Sequence, residues 1–223
     1  MKRFYLSEIE SLRNHLMLIA EKATNSVRNA IEALEQGDVE LAEEVIVADD
    51  EIDELEVAID AEASRYITLR APVASDLRLI TVAMKASHDL ERIGDEATSI
   101  AKRTIRLGTR NKEISYGAIR KMADMTLGLI REAVDSLIEE NSTRARELPA
   151  KDRIIDDLHR ENYTLYTQKV MSNPQLAPAY IELIFISKSL ERIGDHATNI
   201  AEEVVYLKKG EDIRHTDEVR RKD

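Results

Sequence analysis

The hexapeptide Leu-Glu-Arg-Ile-Gly-Asp occupies residues 90–95 and recurs unchanged at residues 190–195. The likeness continues to residues 101 and 201 at the same offset of 100 residues. Upstream, residues 49–55 and 152–158 share the pattern Asp-x-x-Ile-Asp-x-Leu at an offset of 103 residues. Two matched blocks in the same order indicate that the chain consists of two copies of one ancestral unit.

The apolar residues around the hexapeptide predict that both copies are helical. They recur at alternating spacings of four and three, the period of a helix that packs along one seam. The seam residues are Leu79, Ala83, Ala86, Leu90, Ile93, Ala97 and Ile100 in the first copy, and Leu183, Ile186, Leu190, Ile193, Ala197, Ile200, Val204 and Leu207 in the second. Gly (7), Pro (4) and aromatic residues (4%) are scarce, which favours long helices over a sheet. We therefore predict an all-α fold.

Helix-breaking residues divide the chain into six long helices. The predicted helices are Leu6–Glu35, Asp38–Leu69, Ser75–Leu107, Glu113–Glu140, a fifth that follows the turn at residues 141–143 and reaches Met171, and Ala177–Lys208. Pro149 is expected to kink the fifth helix or to delay its start. Short connections make neighbouring helices antiparallel, so we predict two pseudo-symmetric three-helix bundles, residues 1–109 and 110–223, packed as one compact unit.

Composition and charge exclude several functions. The chain of 223 residues has a net charge of −11 and no clustered basic face, which argues against nucleic-acid binding. It contains no Cys, so a disulfide framework or a thiolate metal site is impossible. Its N-terminus does not resemble a secretory signal, and its longest apolar runs are too short to insert into a membrane. A cytoplasmic location is expected.

The repeated hexapeptide carries a pair of carboxylates in each copy. With Leu90 and Ile93 as heptad positions a and d, Glu91 is at b and Asp95 at f, so both are expected to face outward. Residues four apart lie one turn above each other, which stacks Glu91 on Asp95. The same geometry is expected in the second copy, where the carboxylates belong to Glu191 and Asp195.

The second and fifth helices add further oxygen ligands. With a seam of Val45, Ala48, Ile52, Leu55, Ile59 and Tyr66, one flank of the second helix carries Asp49, Asp53 and Glu56. The matching residues of the fifth helix are Asp152, Asp156 and His159. Two adjacent carboxylate-bearing helices suit hard or borderline cations such as iron, manganese, magnesium or calcium, and bridging carboxylates could hold more than one ion.

Two observations favour this metal site over an ordinary solvated acidic face. The copies differ at many other positions but retain the same carboxylates. Each copy also has a glycine in the middle of its helix, Gly94 or Gly194, which costs about 1 kcal/mol relative to alanine and therefore needs a packing or access reason. A metal-free helical scaffold is the alternative.

The chain has no catalytic motif, so we predict that it is not an enzyme. It lacks a Gly-rich phosphate loop, a nucleophile elbow and an H-E-x-x-H motif. A carboxylate-bridged metalloenzyme or iron-handling bundle is the nearest enzymatic alternative, but it needs inward-facing Glu-x-x-His motifs. Only Asp156-x-x-His159 approaches that pattern. His15 and His88 have no partnered spacing and are interpreted as surface or capping residues, whereas His196, next to Asp195, could act as a ligand.

Together these segments resemble the PhoU family of phosphate-uptake regulators. The resemblance rests on both hexapeptides, the residue 49–55 segment, Arg70-x-Pro72-x-Ala74-x-Asp76-Leu77-Arg78 and the segment Asn199-Ile200-Ala201-Glu202. It implies two three-helix bundles, a cytoplasmic homodimer and surface metal clusters, often multinuclear iron or zinc. The implied ligands are the pairs Glu91/Asp95, Glu191/Asp195, Asp49/Asp53 and Asp152/Asp156.

The same resemblance implies a function and partners. A member of this family restrains phosphate import and phosphate-starvation signalling through the ATPase of the phosphate ABC transporter and a phosphate-sensing histidine kinase. The second copy departs from the family pattern, with Val170 and Pro178 in place of Arg70 and Arg78. We therefore do not expect the two copies to be equivalent in every role.

Overall fold

The computed structural model of the chain describes residues 2–108 and 114–213. Within these ranges it contains six long helices, one single-turn helix, one 3-10 turn and no strand. The helices are α1 (Lys2–Gln36), α2 (Val39–Arg70), α3 (Ser75–Leu107), α4 (Gly117–Ile138), the single turn α5 (Ser142–Ala145), α6 (Leu148–Ser172) and α7 (Ala177–Lys209), with the 3-10 turn at Pro174–Leu176. The predicted all-α class is confirmed.

Local sequence signals explain most helix ends. The Asp38 carboxylate accepts a hydrogen bond from the Leu41 backbone N–H at 3.0 Å and caps α2. Pro149 lies in the first turn of α6, where the missing N–H of proline costs least, so it delays the start of the helix. Helix α4 begins at Gly117, later than predicted; the predicted start, Glu113, lies outside the described residues. So do the predicted boundary between the copies at residues 109–110 and the C-terminal residues 214–223.

The two copies pack through their hexapeptide helices. Helices α1, α2 and α3 contact one another, as do α4, α6 and α7, and α3 lies against α7. Arg78 near the start of α3 contacts the Leu207 carbonyl, and Arg103 near its end contacts Glu182, so α3 and α7 are antiparallel. This arrangement places α2 beside α3 and α6 beside α7. In the described ranges no helix is long and apolar enough to cross a bilayer.

Candidate metal centre

Two acidic residues of α2, Asp49 and Glu56, lie in its packing seam, whereas Asp53 is exposed, as expected for a residue on a flank. The buried residues of this helix are Ala42, Val45, Ile52, Ile59, Ala63 and Tyr66. Their alternating spacing of three and four is completed by Asp49 and Glu56, whereas Ala48, a predicted seam residue, is exposed. The flank prediction was wrong for Asp49 and Glu56, because hydrophobicity alone assigns the core position to Ala48 and not to the neighbouring Asp49.

The same correction applies to α6. Its seam runs through Leu148, Asp152, Ile155, His159, Asn162 and Tyr166. Asp152 was predicted on a partly exposed face, but it is fully buried, with 0% of its surface accessible. A buried carboxylate is costly unless hydrogen bonds or a cation compensate for the lost hydration.

The two mid-helix glycines make room for these aspartates. A Cβ atom on Gly194 would lie 2.6 Å from Oδ1 of Asp152, which is too close for any side chain. A Cβ atom on Gly94 would lie 3.0 Å from Oδ1 of Asp49 and 2.9 Å from the Cδ1 atom of Ile52. The packing reason expected for both glycines is therefore confirmed: each lets a carboxylate reach the backbone of the facing helix.

In the second copy, three aspartates converge between α6 and α7. One carboxylate oxygen from each of Asp152, Asp156 and Asp195 lies within 4.8 Å of the others. Two ionised carboxylates at this distance repel each other by about 3 kcal/mol at an effective dielectric constant of about 20. All-oxygen donor sets of this kind suit Mg²⁺, Mn²⁺ or iron, and a cation would relieve the repulsion. The residues present therefore fit the metal that the resemblance implies.

The matching residues of the first copy, Asp49, Asp53 and Asp95, also influence one another. Burial raises the pKa of Asp49, the negative charges of Asp53 and Asp95 raise it further, and the neighbouring Thr98 hydroxyl opposes the rise. Burial, followed by the charge of Asp95, likewise raises the pKa of Asp53. Ionised carboxylates are thus disfavoured here unless positive charge is nearby.

An arginine provides some of that positive charge in the first copy. Arg92 Nη1 lies 2.8 Å from Oδ2 of Asp95, and its Nε lies 3.1 Å from Oε2 of Glu91. Its counterpart Arg192 extends across to α3, where Nη1 lies 3.0 Å from Oε1 of Glu96. The arginine of the hexapeptide therefore contacts carboxylates of its own helix in the first copy and a carboxylate of the other copy in the second.

A second set of ligand groups lies between α2 and α3 of the first copy, next to the aspartate cluster. One donor atom from each of Glu56, His88 and Glu91 lies within 4.8 Å of the others. His88 Nδ1 is 2.9 Å from Oε1 of Glu56 and 4.0 Å from Oε2 of Glu91. Sequence reasoning missed His88 as a site residue. Its position three residues before Glu91, on the face towards α2, was the available signal.

The corresponding place in the second copy contains a lysine. Lys188 Nζ lies 2.6 Å from Oε2 of Glu191, and His159 Nδ1 lies 3.0 Å from the Ser187 hydroxyl. Burial lowers the pKa of His159, which favours the neutral imidazole that binds metals. The negative charge of Glu191 opposes this lowering of the His159 pKa, so the two groups lie close together, and Lys188 contacts the same carboxylate.

The outward orientation predicted for the hexapeptide carboxylates is right for only some of them. The Asp95 side chain is 43% exposed, whereas those of Glu91 and Glu191 are 13% and 16% exposed because α2 and α6 cover them. Most of the predicted ligands therefore line two grooves, α2/α3 and α6/α7, whereas Asp53 is exposed. Their role as metal ligands stays a prediction.

Comparison with known proteins gives the same family in both halves of the chain. The model of the PhoU domain matches residues 16–104 and 119–204. A Pseudomonas putida protein named phosphate-specific transport system accessory protein PhoU homolog is 37% identical over 94% of this chain and 82% of its own length. The Escherichia coli K12 protein named phosphate-specific transport system accessory protein PhoU is 30% identical over 94% of this chain and 87% of its own length.

Solved structures agree with this assignment. A crystal structure of PhoU from Pseudomonas aeruginosa superposes with a TM-score of 0.89 at 35% identity and covers 93% of this chain and 100% of that one. The phosphate transport system regulatory protein PhoU from Streptococcus pneumoniae superposes with a TM-score of 0.83 at 26% identity, over 92% and 97% of the two chains. The relatives are named as accessory or regulatory proteins and not as enzymes.

Proposed function

Because this chain belongs to the PhoU family of phosphate transport regulators, we propose that it acts as a metal-binding adaptor that restrains phosphate uptake and phosphate-starvation signalling. The observation that carries the proposal is the family match in both halves, together with relatives named as accessory proteins along nearly the whole chain. The proposed partners are the ATPase of a phosphate ABC transporter and a phosphate-sensing histidine kinase, with a homodimer as the proposed assembly.

The proposed metal sites are the α2/α3 and α6/α7 grooves. Asp49, Asp53, Glu91 and Asp95 would hold the ion or ions of the first copy. In the second copy the proposed ligands are Asp152, Asp156, His159, Glu191 and Asp195. Oxygen donors with one imidazole support iron, and also zinc, manganese or magnesium, in a mononuclear or multinuclear arrangement.

A bound cation would supply positive charge between two packed helices. The aspartates on α2 and α6 would then hold α3 and α7 at a fixed distance, with Gly94 and Gly194 allowing the close approach. Since α3 and α7 also form the most extensive contact between the two copies, metal binding at these ligands would influence how the two copies pack against each other. This would be a structural role, with no substrate turned over at the carboxylates.

An exposed apolar segment supports a protein partner. Leu69 and Val73, around the turn between α2 and α3, are 64% and 74% exposed, and Leu77 in the first turn of α3 is 42% exposed. Clustered exposed apolar side chains are a common feature of protein-docking surfaces. The turn belongs to the Arg70–Arg78 segment on which the family resemblance partly rests.

Gene deletion in the native host tests the regulatory function. Deletion should switch on phosphate-starvation genes in phosphate-rich medium, and a plasmid copy of the wild-type gene should restore repression. Complementation with the double variant Asp49→Asn/Asp152→Asn tests whether the carboxylate grooves are needed for repression. The control is the double variant Asp50→Asn/Asp157→Asn, which changes exposed residues. Unchanged starvation-gene expression after deletion would remove the proposal.

A further inference from the structure

We propose that an apolar cavity between the two copies binds a small anionic amphiphile, with the alkyl chain inside the cavity and the head group beside Arg13 and Lys208. The cavity lies where α1 and α3 of the first copy meet α4 and α7 of the second. None of its lining residues is a predicted metal ligand. The proposal therefore does not depend on metal binding.

The walls of the cavity are mostly hydrocarbon, and its volume is about 220 Å³. The apolar lining residues are Leu16, Met17, Ala20, Leu79, Val82, Ala83, Val134, Leu137, Ile138 and Leu207. An apolar cavity of about 150 Å³ stays free of water and binds benzene. By the same proportion, the larger cavity has room for about nine carbon atoms.

The cavity is open to ligands from the surface. Ala20, Val82 and Ala83 are almost fully buried and belong to its inner wall, whereas Met17 and Ile138 are 49% and 47% exposed. A molecule can therefore enter between α1 and the end of α4. An alkyl chain that moves from water into this space buries apolar surface on both sides, which favours binding.

The charged residues at the cavity favour an anionic head group. Arg13 Nη2 lies 2.6 Å from Oε1 of Glu140, and Lys208 Nζ lies 3.0 Å from Oε2 of the same carboxylate. Two cations therefore share one carboxylate, which leaves positive charge in excess at this point. The other acidic residue of the lining, Glu10, is exposed, so water and salt screen its charge.

Both cations can bind a second anion while they contact Glu140. Each of the two contacts occupies one N–H group, whereas an arginine offers five and a protonated lysine three. Hydrogen bonds from a guanidinium to a carboxylate are charge-assisted and are stronger than those between neutral groups. A carboxylate at the end of an alkyl chain therefore suits the cavity and the charges beside it.

The size of the cavity favours a small molecule over a helix of a partner protein. One turn of an α-helix with its side chains is about 10 Å wide and 5.4 Å long, which is more than the cavity holds. A bound chain would contact α1 and α3 on one side and α4 and α7 on the other. Occupancy would therefore stabilise one packing of the two copies and raise the melting temperature of the protein.

Binding of nonanoate to the purified full-length chain tests the proposal. Isothermal titration calorimetry should show one nonanoate bound per chain, and nonan-1-ol, which has the same chain length without the charge, provides the comparison. Arg13→Met should weaken the binding of nonanoate about tenfold, because a charge-assisted hydrogen bond is worth about 1.4 kcal/mol or more. The same variant should change the affinity for nonan-1-ol less than twofold.

Two further variants test whether the chain occupies the cavity. Ala20→Leu fills part of the space and should weaken nonanoate binding at least tenfold, whereas the control Ala150→Leu makes the same change at an exposed position of α6. Met17→Gln keeps the size of a half-exposed lining residue but makes it polar. It should weaken binding at least threefold, and it should fold even if Ala20→Leu does not.

A wild type that binds no nonanoate would overturn the proposal, as would binding that none of the variants at residues 13, 17 and 20 weakens. Light scattering adds the case of a second copy of the chain in the cavity. A wild-type dimer that Ala20→Leu dissociates, without nonanoate binding to the wild type, would assign the cavity to that contact and overturn the proposal. The metal content and the starvation-gene response are measured separately, so either result leaves the proposed function unaffected.

Discussion

The Oδ1 atom of Asp152 lies 2.6 Å from the position that a Cβ atom would occupy on Gly194. Gly194→Ala should therefore push the buried carboxylate away from α7, and we expect a loss of about 2 kcal/mol in the free energy of unfolding. The same substitution should lower metal content, because it displaces a proposed ligand. Urea denaturation monitored by circular dichroism measures the stability.

Gly128 is the matched control for this substitution. It lies inside α4. Apart from its own helix backbone, no atom lies within 4 Å of the position that a Cβ atom on this residue would occupy. Gly128→Ala should gain up to about 1 kcal/mol from helix propensity alone. If Gly194→Ala were as stable as Gly128→Ala, the close approach of α6 to α7 would not constrain residue 194.

The charge on Asp49 should destabilise the folded, metal-free chain at neutral pH. Burial raises the pKa of this carboxyl, with the charges of Asp53 and Asp95 adding to the rise. A raised pKa means that the group contributes most favourably when protonated, below its unfolded-state pKa, and that this contribution is lost as the pH rises through the folded-state pKa. The neutral variant Asp49→Asn should escape that loss.

We expect metal-free Asp49→Asn to be more stable than the wild type at pH 7, with the difference shrinking as the pH falls into the acid range. Urea unfolding at a series of pH values, with chelator present, measures the difference. The exposed neighbour Asp50→Asn should show little change across the same series. A stabilisation by Asp49→Asn that did not vary with pH would mean that its charge is not the cause.

The contact between Arg103 and Glu182 should stabilise the packing of α3 against α7. Arg103 Nη1 lies 2.8 Å from Oε2 of Glu182, both side chains are about one-fifth exposed, and the guanidinium is 4.3 Å from the centroid of the Phe185 ring. Arg103→Met removes the cation–π contact and leaves the mostly buried Glu182 carboxylate with only the more distant, exposed Arg106, whose Nη1 is 3.8 Å away, which should cost about 2 kcal/mol.

The exposed pair Arg160 and Asp157 provides the comparison. Both side chains are more than 60% exposed, so Arg160→Met should change the free energy of unfolding by less than about 1 kcal/mol. The two variants are measured side by side by urea denaturation. Equal losses would indicate that the α3–α7 ion pair behaves as an ordinary surface pair.

The helical architecture was predictable because the apolar residues of α3 and α7 keep a strict alternation of four and three. Leu90, Ile93, Leu190 and Ile193 are all fully buried, as their spacing predicts. Punctuation by glycine, proline and capping residues then located most helix ends, but α1 begins at Lys2 and not at Leu6, α4 begins later than predicted, and the predicted fifth helix is divided into α5 and α6. Local chemistry was sufficient for these features because each depends on residues close together in the sequence.

The candidate site was less predictable because it depends on which helix faces which. Asp49 and Asp152 occupy seam positions, and only a glycine on the facing helix makes this possible. The polar character of both aspartates suggested solvent exposure, so hydrophobic periodicity placed them on a flank. The groups around His88 likewise come from different helices, and no spacing along one helix brings Glu56 beside it.

The metal content of the purified chain tests the central claim that the α2/α3 and α6/α7 grooves hold cations. Wild type is compared with Asp49→Asn/Asp152→Asn and with the control Asp50→Asn/Asp157→Asn, which makes the same charge change at adjacent exposed positions. Iron, zinc, manganese and magnesium are measured by mass spectrometry on protein prepared without chelators. We predict that the wild type and the control contain metal and that the groove variant loses most of it. Equal metal content in all three proteins would contradict the account.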